Sequence, residues 1–204
     1  MTDNKASEKI YPAFFTPIYQ DFIEFDRQEL NANLKKMQFM RVEPTDDRYS
    51  SKSLKVLDEG MKFLKPMIQK CVDEYVYDML GMKRRHDVHI TDSWVMKHKA
   101  QDKSDMHWHP NSIISGVLYL QTDEQSGNIA FFREKTIFND VLDFEFEENE
   151  INKRMFQVQP QDGMLLLFPS TTMHGVFPSE SEHSRFSLAF NTWTGAPLDG
   201  PFRR

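Results

Sequence analysis

Seven histidines occur in this sequence, at positions 86, 89, 98, 107, 109, 174 and 183. The pair in His107-Trp108-His109 carries the most chemical content. In an extended chain, residues i and i+2 project from the same face. Two imidazoles side by side can share one metal ion, and neutral nitrogen donors favour Fe, Zn, Cu or Ni over Mg or Ca. The plain alternative is a pair of surface histidines beside a turn. A metal needs at least a third ligand from elsewhere in the chain. His174 is the candidate, since it follows the turn Gln161-Asp162-Gly163, the buried run Met164–Phe168 and a corner at Pro169. Its alternative role is to close that loop by hydrogen bonding. Arg185-Phe186-Ser187 comes eleven residues later. On a strand, Arg185 and Ser187 share a face, and a guanidinium with a hydroxyl suits a carboxylate.

The other histidines read more plainly. His86 and His89 border a strand next to the basic run Lys83-Arg84-Arg85. His98 lies on a strand near the candidate site, and His183 lies in the polar turn Ser179–Ser184. Asp105, two residues before His107, is either a hydrogen-bond partner for that ring or an ordinary solvated carboxylate. Cys71 and the methionines of residues 54–80 sit at helical spacing and read as core.

Elements able to hold these side chains are legible in the chain. Tyr11–Tyr19 is apolar and extended, with Pro12 and Pro17 disfavouring helix. Asp26-Arg27-Gln28-Glu29 reads as a capping box opening a helix that carries Leu30, Leu34 and Met37. A second helical face runs from about residue 54 to 80 through Leu57, Met61, Leu64, Ile68, Cys71, Val72, Tyr75 and Met79. Pro66 predicts a kink or break within it, and Gly81 a C-terminal cap. Residues 87–193 change texture. Short apolar runs predict strands at Ser93–Lys97, Ile113–Leu120, Asn128–Phe132, Arg154–Gln159, Met164–Phe168, Gly175–Phe177 and Arg185–Trp193. Strands following helices predict an α+β, mainly β chain: a sandwich or barrel with N-terminal helices packed outside one sheet. Asp140–Glu150, with six acidic residues in eleven, reads as a solvated loop between strands.

The chain has 204 residues, 17 Phe, 8 Gly, one Cys and a formal charge of −6. A chain this long buries roughly 70% of its unfolded surface and needs no staple. The single cysteine excludes an internal disulfide and a Cys-rich zinc site. The negative balance argues against a nucleic-acid backbone as main partner. No apolar run approaches the roughly 20 residues of a membrane helix. Met1–Lys5 lacks a signal-peptide pattern, so a cytoplasmic location is expected. One domain over 1–204 is expected, with mainly helical support at 10–82 and a strand-rich core at 87–193. Residues 1–9 read as a frayed end.

The ordered motifs resemble a known family. They are His107-x-His109-Pro110-Asn111-Ser112, Ser115-Gly116-Val117-Leu118-Tyr119-Leu120, Gly163…Phe168-Pro169-Ser170…His174-Gly175-Val176 and Arg185-x-Ser187-Leu188-Ala189-Phe190-Asn191. Together they resemble the 2-oxoglutarate/Fe(II)-dependent oxygenases, in a small branch familiar from marine bacteria and phages. The resemblance spans roughly residues 90–193. It implies a double-stranded β-helix, or jelly roll, with Fe(II) and 2-oxoglutarate as cofactors. By position, His107 and His174 match the family's proximal and distal metal histidines. Arg185 matches the anchor for the far carboxylate of 2-oxoglutarate, with Ser187 beside it. Tyr119 falls where relatives place a tyrosine near the cosubstrate.

This chain departs from the family at one ligand. The usual H-x-D/E acid is His109 here, so either three histidines (His107, His109, His174) hold the metal, or the frame is His109-Pro110-Asn111. Three neutral ligands would leave the metal its full +2 charge, which favours a dianionic cosubstrate. The expected function is oxidation, by hydroxylation, of a small-molecule or peptide substrate with O₂, coupled to conversion of 2-oxoglutarate to succinate. Two alternatives compete with it. One is a cupin-like three-His dioxygenase that needs no 2-oxoglutarate, against which Arg185 and Ser187 argue. The other is a non-enzymatic jelly-roll binding protein. Loops around Gln121–Gly127 and Phe138–Asn152 are expected to border the site. A homo-oligomer is compatible with the sequence, through the Tyr11–Tyr19 segment or the long helix.

Overall fold

A computed structural model describes residues 15–42, 48–133, 147, 149 and 152–195. Residues 1–14 and most of the acidic stretch at 140–150 lie outside the described residues, as does most of the 138–152 loop. Two antiparallel sheets organise the rest. The larger takes the order β1-β9-β6-β11-β4-β3-β2. Its strands are β1 (Tyr19–Phe22), β2 (Phe39–Arg41), β3 (Tyr49–Ser51), β4 (Val88–His98), β6 (Ile114–Gln121), β9 (Met164–Pro169) and β11 (Arg185–Thr194). The smaller takes the order β5-β10-β7-β8, from Ser104–His107, His174–Val176, Ile129–Phe132 and Met155–Val158.

Side-chain alternation sorts the large sheet's residues onto two faces. Along β9, Leu165 and Leu167 join one apolar cluster, and Met164, Leu166 and Phe168 join another. Along β6, Leu118 and Leu120 go with the first, Tyr119 with the second. This two-sided burial explains why Met164–Phe168 is continuously apolar, since a strand covered on both faces needs no polar side. The second cluster also holds Ile129 and Phe131 of the small sheet, so it fills the space between the sheets. The first cluster holds Leu30, Leu64, Ile68, Val72 and Tyr75 from the helical segments.

Helix α1 (Arg27–Lys36) starts where the capping pattern placed it, with the Asp26 side chain accepting from the Gln28 N–H. The long helical face at 54–80 is one stripe but not one helix. Val56–Asp58 is a 3₁₀ turn, α2 spans Lys65–Asp73, and a π turn covers Glu74–Met79. Pro66 stands in the first turn of α2, where its missing N–H would have no helical partner anyway. The break expected at Pro66 is therefore a helix start. Gly81 ends the segment with φ +71°, the left-handed conformation expected of a cap.

The seven predicted strands all form, with β4 starting five residues earlier than expected. β2, β3 and β5 were not legible. Each has three or four residues, and β5 exposes most of its side chains. Such strands exist through pairing to a neighbour, which leaves no apolar pattern to read.

Candidate metal centre

β5 and β10 pair antiparallel with His107 directly opposite His174, and β7 places Phe131 on the other side of His174. Cross-strand partners share a face, so His107, His174 and Phe131 form one row. His109 falls two residues beyond His107, just past the end of β5. Its backbone N–H donates to the Ser170 carbonyl at 2.9 Å. The three rings meet with centroids 4.4 Å apart for His107–His174 and 5.1 Å for each pair involving His109. One ring nitrogen from each lies within 4.8 Å of the others. Phe168, with its centroid 4.7 Å from that of His174, closes the back of the row.

Hydrogen bonding fixes which nitrogens are free. His107 Nδ1 sits 2.8 Å from the Asp105 carbonyl, and His174 Nδ1 sits 2.8 Å from the Thr172 carbonyl. A carbonyl oxygen only accepts, so each Nδ1 carries the proton and each Nε2 keeps a bare lone pair. In this tautomer Nε2 is available to a metal. Burial lowers the pKa of His174 to about 3, opposed by its bond to Thr172 and aided by the neighbouring histidines. Burial, then the neighbouring His107, lowers that of His109 to about 4. Both rings are thus neutral donors at ordinary pH. The Asp105 side chain takes no part, since it is exposed and pairs with Lys103 at 3.2 Å. Its backbone carbonyl does the orienting. Asn111 takes φ +56° in the turn after Pro110, a conformation asparagine tolerates better than most residues.

Arg185 opens β11 opposite His98 of β4. It is 2% exposed. Its guanidinium donates to the Gly127 carbonyl at 2.9 Å and to His98 Nδ1 at 3.0 Å, while its Nε has no partner. The buried Asp102 carboxylate acts on it electrostatically, with its own Oδ2 accepting from the Lys99 N–H at 2.6 Å. The charge centre of Arg185 lies 5.9 Å from the Tyr119 ring. Ser187 pairs with Tyr119 across β11 and β6, so the residues from the Arg185 and Tyr119 motifs do meet. Burial lifts the Tyr119 phenol to about 12, so it stays protonated. Gly127 is required where it stands, because a Cβ there would lie 1.9 Å from the Phe177 carbonyl oxygen. His98 is on a strand near the site, as the sequence suggested, but no motif assigned it a role. Its histidine type was visible, but its contact with Arg185 depends on strand register.

A buried cation with an orphaned N–H is costly unless an anion joins it. The three clustered imidazoles suit a divalent transition metal. Residues 92–191 match a family model described as "Putative 2OG-Fe(II) oxygenase". This segment, 100 of the 204 residues, is similar to the 2OG-Fe(II) oxygenases. No curated protein matches the chain in sequence. Among solved structures, a 2OG-Fe(II) oxygenase-family oxidoreductase from Burkholderia pseudomallei aligns at TM-score 0.60 and 15% identity, covering 87% of this chain and 83% of that one. HygX from Streptomyces hygroscopicus, with nickel and 2-oxoglutarate bound, aligns at TM-score 0.57 and 10% identity, over 87% and 82%. A Trichoplax adhaerens prolyl hydroxylase in complex with a hypoxia inducible factor peptide fragment aligns at 0.57 and 14%, over 87% and 83%. These likenesses identify the fold as the oxygenase jelly roll. No helix among the described residues is long and apolar enough to cross a membrane.

Proposed function

We propose that His107, His109 and His174 hold the iron through one nitrogen each, and that Arg185 receives the far carboxylate of 2-oxoglutarate, with Tyr119 and Ser187 lining its place. The convergence of three imidazole nitrogens within 4.8 Å carries this reading. The buried guanidinium of Arg185, with its Nε unpartnered, supports the cosubstrate half and weighs against a cupin-like reaction without 2-oxoglutarate. Iron and 2-oxoglutarate together supply the oxidising power, with O₂ consumed, 2-oxoglutarate converted to succinate and CO₂, and the substrate oxidised. The protein's own residues orient these groups: carbonyls of Asp105 and Thr172 set the ring tautomers, and Phe131 and Phe168 exclude water behind His174.

The substrate is a small molecule or a peptide, and the reaction a hydroxylation. A cavity of about 320 Å³, lined by Ser50, Leu54, Asp92, Trp94 and Asn191, supports a place for it. Trp94 is its wall toward the three histidines, with its ring centroid 6.0 Å from that of His109. Asn191 is tied to the same region, since its side-chain carbonyl accepts from Ser115, whose hydroxyl meets that of Ser170 at 2.8 Å.

Purified protein loaded with Fe(II) is expected to form succinate from 2-oxoglutarate with ascorbate present, slowly even without a substrate. His174→Ala and Arg185→Ala are expected to lose this turnover. Equal succinate from either variant and wild type would sink the assignment.

A further inference from the structure

We propose that His98 is a positioning residue that holds Arg185 in place without neutralising it, and that this neutrality is what leaves the guanidinium free for an anion. The inference rests on Arg185 as the 2-oxoglutarate anchor. His98 is 2% exposed and lies directly opposite Arg185 in the β4–β11 pairing. An arginine has no acceptor, so His98 Nδ1 must accept from it. The ring proton therefore sits on Nε2, which lies 3.2 Å from the Ser104 hydroxyl. Burial first, and the charge of Arg185 next, lower the His98 pKa to about 2, so the imidazole is uncharged at any working pH.

The choice of residue has a physical consequence. An aspartate or glutamate here would also accept from Arg185. It would cancel the charge, however, and compete with the incoming carboxylate. Histidine supplies an acceptor with no charge, fixed in direction by Ser104. The remaining partner of the guanidinium, the Gly127 carbonyl, is likewise neutral. Both hydrogen-bonding groups thus set position without adding charge, while the carboxylate that acts on Arg185 is that of Asp102.

His98 also joins the two sheets. Its β4 backbone belongs to the large sheet, and Ser104 opens β5, the strand that ends at His107. Ser104 and His107 are three residues apart, so the two ends of this link lie about 10 Å apart along the strand. The chain Arg185–His98–Ser104 fixes the anchor relative to the strand carrying the first histidine.

The test is calorimetry of 2-oxoglutarate with Ni(II)-loaded protein, alongside metal affinity measured separately. His98→Ala is expected to weaken 2-oxoglutarate by about tenfold or more, the scale of a lost hydrogen bond to a charged group, with metal affinity kept. His98→Asn, whose side-chain oxygen stands near the Nδ1 position, is expected to restore most of the loss. His98→Asp offers the same acceptor with a charge and is expected to bind 2-oxoglutarate more weakly than His98→Asn. Should the aspartate variant bind as well as the asparagine one, neutrality is irrelevant and the proposal is overturned. If the alanine variant does not fold, the Asn and Asp pair still decides. Arg185→Ala separates the two levels. If it leaves 2-oxoglutarate binding intact, the anchor reading itself fails. If it abolishes binding while all His98 variants match wild type, only the role of His98 fails.

Discussion

His109 takes the position where the family motif has an acid, and the charge at the metal changes with it. On the proposed assignment, three neutral ligands would leave the ion its full charge toward a dianionic cosubstrate. His109→Asp is expected to retain the metal while weakening 2-oxoglutarate by about tenfold, the order of effect of one charge a few ångströms away in a protein site. Calorimetry with Ni(II)-loaded protein reads this, and equal or tighter binding would contradict it. The same buried imidazoles also make stability depend on pH. His98, His109 and His174 have pKa values pushed down to about 2, 4 and 3. In the unfolded chain each titrates near 6.5. Stability from their neutral burial is therefore present above pH 6.5 and is lost as pH falls toward and through the folded values. Urea midpoints of metal-free protein are expected to drop between pH 7.5 and pH 5. A flat profile over that interval would show that these rings are not buried neutral.

Among the elements, the turns around the site are as demanding as the strands. Asn111 at φ +56° leads the chain from His109 into β6. Replacing it with alanine is expected to cost about 1 kcal/mol, and replacing it with glycine less, since only the alanine Cβ is strained there. Thermal melts of both variants give the comparison, and an alanine variant melting with wild type would remove the argument. Gly127→Ala should be harsher, because the new Cβ would collide with backbone at Phe177 and displace the carbonyl that holds Arg185. We expect a loss of about 1–3 kcal/mol by urea denaturation together with weaker 2-oxoglutarate binding. The core strands were legible because burial writes a pattern: Met164–Phe168 is apolar throughout since both its faces are covered. The Asp26 cap and the break at Pro66 were legible because proline and capping residues act locally. β5 was not, since Ser104–His107 has no apolar periodicity and forms only by pairing with β10. His107, His109 and His174 stood out by type and order. His98 did not, since its role arises from register with a residue 87 positions away.

At the scale of the whole molecule, one chain segment supplies the core between two sheets and another covers the outer face. The site sits where the small sheet's histidine row meets the large sheet's inner face. Ligands that bind only the folded state stabilise it by mass action. Divalent metal at about 100 times its dissociation constant is expected to add about 2.7 kcal/mol. Chelation should reverse that gain, and a scan that is blind to metal would argue against the histidine cluster as its binding place. Arg185 gives this linkage a further consequence. On the proposed reading, Arg185 is a buried cation whose Nε lacks a partner, and a dicarboxylate would supply one. A cosubstrate bound there would act as a folding ligand as well as a reagent. In a cell, its concentration would govern how long the chain resists proteases, so that scarcity of 2-oxoglutarate would lower the amount of enzyme along with its rate. Proteolytic half-life measured with and without 2-oxoglutarate, in wild type and Arg185→Ala, reads that coupling directly.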